Sequence, residues 1–79
     1  MSRYTETPVV HGKRYEVAYG YDHACGWYIQ VWYPGDSADA GDAPAIDLDT
    51  LFNGLTVARL MRIAAAHGCG MHIRNLAGE

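Results

Sequence analysis

The stretch Trp27 to Tyr33, reading WYIQVWY, constrains this chain more than any other. Aromatic and β-branched side chains fill it, and these pack well on a pleated surface. Pro34-Gly35 stops it. Upstream, Tyr15, Val17, Tyr19 and Tyr21 alternate with Glu16, Ala18 and Gly20, the period of two expected of a strand with one apolar face. The connection Asp22-His23-Ala24-Cys25-Gly26 is short and rich in turn formers, and Gly26 can take a positive φ without steric cost. Residues 14–33 are therefore expected to form an antiparallel hairpin.

The two faces of the second strand differ. Trp27, Ile29, Val31 and Tyr33 line one, while Tyr28, Gln30 and Trp32 line the other. A helix to cover one of them is signalled further on. Thr56 stands as N-cap, Leu55 and Leu60 form a hydrophobic staple, and Gly68 occupies the C′ position. Between these ends Val57, Leu60, Met61 and Ala64 recur at helical spacing, with Arg59, Arg62 and Ala66 pointing away. The apolar stripe is predicted to seat on the Trp27, Ile29, Val31, Tyr33 face. One helix covers one face of a sheet, so Tyr28 and Trp32 are left for solvent, a partner, a second copy of the chain or the terminal segments.

The remaining segments are weaker signals. Residues 1–12 mix Ser, Thr, Pro and charges without period and predict a flexible start, with at most a short edge segment at Val9-Val10. Residues 35–45 form an acidic loop with nothing in it to pack. Ala45 to Leu48 alternates briefly as a short strand, and Asp49 or Thr50 caps a turn carrying Leu51 and Phe52 up to Asn53-Gly54. Met71, Ile73 and Asn75 alternate with His72 and Arg74 as a last strand or an extended tail. The predicted fold class is α+β: a small antiparallel sheet, made of the 14–33 hairpin and a C-terminal strand, with one helix over about 56–67 packed on one face. The 79 residues make a single domain, 1–79, and a chain of this size buries only about 60% of the surface its unfolded form exposes.

Charge is distributed unevenly. No Lys or Arg lies between Arg14 and Arg59, and that interval holds Glu16, Asp22, Asp36, Asp39, Asp42, Asp47 and Asp49. A net charge of −3 argues against direct nucleic-acid binding, which draws on clustered cations. No apolar run reaches the roughly 20 residues that span a bilayer, and the opening residues lack the charged-then-apolar order of a signal peptide. The expectation is a cytoplasmic protein with no membrane partner and reduced thiols at Cys25 and Cys69.

Three chemistries are open to these residues. His23-Ala24-Cys25 and His67-Gly68-Cys69, with His72 beyond, supply zinc's preferred ligands for a metal-stapled regulatory module, although one-residue spacing is unlike that of metal hairpins. Cys25 with His23 as base and Asp22 as orienting group would make a minimal thiol enzyme, but adjacent turn residues seldom converge and no nucleophile motif surrounds them. The D-x2-D-x2-D run at 36, 39 and 42 departs from an EF-hand loop. The third chemistry, recognition, needs neither pocket nor cofactor. Tyr28 and Trp32 would anchor a protein interface, and Asp36, Asp39, Asp42, Asp47 and Asp49 would complement a basic groove as phosphates do. No metal, cofactor or catalytic residue is expected on that reading. The partner would be a larger protein or ribonucleoprotein complex, with a homodimer as another way to cover the aromatic face.

In size, acidity and compact α+β make-up the whole chain resembles the anti-CRISPR proteins, small phage-encoded inhibitors of bacterial CRISPR effector complexes. The resemblance is one of general character and contains no motif. It implies a non-enzymatic inhibitor in the host cytoplasm that acts by occlusion, its aspartates meeting the Lys and Arg that normally grip DNA or RNA.

Overall fold

Strand pairing follows from where the alternating segments lie, and a computed structural model describes residues 2–70 and 72–76. The fold is α+β, as expected. Strands β4 (Glu16–Asp22) and β5 (Gly26–Trp32) form the central antiparallel hairpin. Gly26 turns it with φ 81, a value at which a Cβ would be strained and would also meet Thr50. Strand β6 (Ile46–Asp49) pairs along β5, and strand β1 (Ser2–Glu6) along β4, which gives the order β1-β4-β5-β6. Two short strands, β2 (Val9–Val10) and β3 (Lys13–Arg14), make a separate hairpin.

Helix α1 (Thr50–Asn53) is a single turn after β6, and α2 (Val57–Ala66) is the helix signalled by Thr56. Thr56 Oγ1 accepts the Arg59 N–H at 3.2 Å. At the other end the Gly68 and Cys69 N–H groups donate to the carbonyls of Ala65 and Ala64, closing a Schellman cap with Gly68 at φ 85. Leu60 and Ala64 face the sheet and are fully buried. They meet Val17, Tyr19, Ile29 and Val31, joined by Leu55, Cys69 and Leu76. The core is thus a single layer between α2 and one side of the sheet.

Three expectations are corrected. Ser2–Glu6, in the segment expected to be flexible, is a strand whose five residues pair in register with Tyr21 to Val17. Its sequence has no large β-branched run, so the strand is specified by the free edge of β4 and not by local propensity. The expected C-terminal strand is absent among the described residues: Ile73–Leu76 form a helical turn, α3, while Met71 lies outside the described residues. The two positions beside the central hairpin are taken by β1 and β6. Tyr33, assigned to the core face, is 46% exposed, because the strand ends at Trp32 and Tyr33 leaves the sheet. Trp27 remains half-buried against the core.

Candidate functional site: the open face of the sheet

Register places one residue from each strand side by side on the face away from α2. One row reads Arg3, Gly20, Tyr28, Asp49, and the next reads Thr5, Ala18, Gln30, Asp47. Gly20 leaves room in the first row. Across it the Tyr28 hydroxyl donates to the Ser2 carbonyl at 2.9 Å, and the Arg3 guanidinium lies 5.9 Å from the ring centroid. Burial pushes the Tyr28 hydroxyl pKa up, Arg3 working against it. Asp22, Asp47 and Asp49 surround this position in a shallow concavity of about 310 Å³ that Arg3 and Gln30 also line.

At the far end of β5 the same face is closed. Trp32 is only 4% exposed, and its Nε1 donates to the Asp42 carbonyl at 2.8 Å. The acidic loop lies across it, held by Ser37 N–H to Asp42 Oδ2 at 3.0 Å and by the Ser37 hydroxyl and Ala38 N–H to the Glu16 carboxylate. This overturns two expectations: Trp32 is not an exposed anchor, and the loop does pack. A loop with no large apolar group can still roof a ring when its backbone polar groups bond to the sheet. Asp42 and Asp49 are accordingly structural as well as acidic, Asp49 capping α1 by accepting the Phe52 N–H at 2.7 Å. Asp36, Asp39 and Asp47 are exposed.

Among the described residues no three His, Cys, Asp or Glu side chains gather as a metal site. Cys25 lies in the β4–β5 turn and Cys69 in the core, the one half-buried and the other buried. His23 sits edge-on to Tyr21, with ring centroids 5.7 Å apart, and Asp22 Oδ1 accepts the Ala24 N–H. The Cys25 thiol is pushed up by burial and then by Asp22 and Asp49, the reverse of what a nucleophilic thiolate needs.

Beneath the core side of β1, the Tyr19 hydroxyl donates to the Glu6 carboxylate, which also accepts the Gly70 N–H at 3.3 Å, while Tyr4 stacks on His72 with centroids 5.2 Å apart. Burial raises the Cys69 thiol from 9.0 to about 12, with Glu6 adding to the effect, and burial also raises Tyr19. A group whose folded pKa is raised contributes stability below its unfolded pKa and loses it as pH climbs through the folded value. Thermal stability is therefore expected to fall between about pH 9 and 12. Circular dichroism melting measures this, and a melting temperature unchanged through pH 11 would contradict it. Cys69→Ala should fall less over the same window.

Gln30, expected on this face, and Asp22 both line the concavity but were not among the expected partner contacts. Gln30 was legible from its alternation with Tyr28, whereas Asp22 needed the cross-strand register. Comparison with protein-family models, curated proteins and solved structures gives no match. Among the described residues no helix is long and apolar enough to cross a membrane.

Proposed function

We propose that the chain is a small, non-enzymatic interaction protein that lays its acidic sheet face on a basic surface of a larger complex and so occludes nucleic-acid binding there, in the manner of the anti-CRISPR inhibitors it resembles. The observation that carries this reading is the row structure of the open face. Tyr28 and Gln30 lie uncovered by α2 and bounded by Asp22, Asp47 and Asp49, with Arg3 as the cation in the same concavity. Asp36 and Asp39 extend the negative field along the roofing loop. Arg59 and Arg62 are carried by α2, which packs on the other side of the sheet. A predominantly acidic face accelerates encounter with an oppositely charged surface and disfavours nucleic acid itself.

Replacing Asp36, Asp39 and Asp47 together by Asn tests the electrostatic part, because these exposed carboxylates are not the ones that hold the loop or cap α1. The variant is expected to stay folded with only a small change in melting temperature, because exposed charges outside ion pairs contribute little to stability. Its affinity for a purified CRISPR effector complex should drop, as should the salt dependence of that affinity. Unaltered affinity and salt slope would remove the reading.

A further inference from the structure

Two of the exposed large apolar side chains are neighbours on α1: Leu51 is 64% and Phe52 81% exposed. A turn of four residues that buries none of them is not held by packing, and helices this short are unstable by propensity. Yet α1 is tied down on every side. Besides the Asp49 cap, Asn53 Oδ1 accepts the Asp49 N–H at 3.1 Å, and Gly54, left-handed at φ 64, returns its N–H to the Thr50 carbonyl at 3.0 Å. Thr50 Oγ1 accepts the Trp27 N–H at 3.0 Å and donates to the Leu55 carbonyl at 2.7 Å, and the Leu51 N–H donates to the Cys25 carbonyl at 3.1 Å. The result is a fixed platform holding two apolar side chains in water. A presentation of this kind lowers the ordering cost of association, and clusters of such groups dominate interface energies.

We infer that Leu51 and Phe52 are the apolar anchor of the partner interface, filling an apolar pocket rimmed by Lys or Arg on a basic protein; this rests on the interaction reading above. Charge selects the occupant. Asp49 immediately precedes α1 and, with Asp22 and Asp47, lines the concavity that Cys25 shares. Two copies meeting through α1 would bring these carboxylates together. Among the described residues Val9 and Tyr33 are also exposed, Val9 opposite Arg14 and Tyr33 against Tyr15, but the groove there contains Glu16, Asp36 and Asp39 as well as Arg14. Neither of these surfaces on a second copy complements α1, and the exposed Arg59 and Arg62 of α2 are flanked by the small exposed side chains of Ala58, Ala65 and Ala66, which give a Phe ring little to fill, whereas a foreign basic protein can offer charge and an apolar pocket together.

The test mixes the purified chain with purified CRISPR effector complexes and measures affinity at two salt concentrations, with circular dichroism confirming each variant's fold. Phe52→Ala is expected to weaken binding about tenfold or more with the salt slope retained, and Leu51→Ala to weaken it less. The Asp36, Asp39, Asp47 to Asn variant should instead flatten the slope. Full affinity in Phe52→Ala with the flattened slope in the Asn variant overturns the anchor and leaves the interaction reading standing. Failure of the wild type to bind any of the complexes overturns both. Self-association of the free chain that Phe52→Ala abolishes assigns the pair to a second copy and overturns the foreign occupant.

Discussion

Trp32→Ala is expected to destabilise the protein by about 3–5 kcal/mol, the range for deleting a buried aromatic ring. The ring lies on the face that α2 does not cover, and the acidic loop closes over it, Asp42 accepting its indole N–H. Removing it leaves the loop roofing a void and leaves the Asp42 carbonyl without its indole donor. Total stability of small domains is about 5–15 kcal/mol, so the loss is a large fraction of the whole. Trp32→Phe separates the two contributions: it keeps most of the apolar bulk and loses the N–H, for about 1 kcal/mol. Urea denaturation gives both values. Amide exchange should quicken through residues 37–42 in Trp32→Ala, where the Gly41 and Asp42 N–H groups bond back to Ala38 and Ser37. A Trp32→Ala protein within 1 kcal/mol of wild type would mean that the loop does not bury the ring. The functional consequence follows from the same contact, since Asp36 and Asp39 are carried by that loop and would no longer be held beside the sheet.

Gly20→Val is expected to cost about 1–3 kcal/mol, concentrated at one edge of the sheet. A Cβ at position 20 overlaps the Ser2 carbonyl, whose carbon would lie 2.8 Å away. Those atoms are backbone and cannot swing aside as a flexible side chain would. The start of β1 must retreat, taking with it the bond from the Tyr21 N–H to Ser2 Oγ and the Tyr28 hydroxyl bond to the Ser2 carbonyl. Exchange protection should fall in β1 and persist along the β4–β5 ladder. Uniform loss across the whole sheet, or none at all, would refute this placement of β1. Because Arg3 and Tyr28 both flank the concavity, the substitution should also alter the site that Asp47 and Asp49 line.

Much of this was legible from residues close together in the chain. A period of two marks β4 and β5, Gly26 marks their turn, and Thr56 and Gly68 mark the ends of α2 because caps depend on neighbouring backbone groups. The one-turn α1 was legible for the same reason, although Asp49 and Thr50 were equal candidates for its cap and the structure assigns it to Asp49. The candidate site was legible in half. Tyr28 and Asp47 lie on the open face as the alternation requires, but the same alternation placed Trp32 there as an exposed anchor.

Whether a residue on that face meets water depends on which segment returns to it, and periodicity is silent on returns. The sequence by itself determined the central hairpin, the helix with its two caps and the sign of the charge beside them, since each is set by residues a few positions apart. Only the tertiary structure decided that Ser2–Glu6 completes the sheet, that residues 73–76 turn helical with both hairpin edges already occupied, and that the acidic loop buries Trp32 while Phe52 stays in water. Those outcomes rest on hydrogen bonds and contacts between distant segments, where a free strand edge or an unroofed ring finds its partner irrespective of that partner's local propensity.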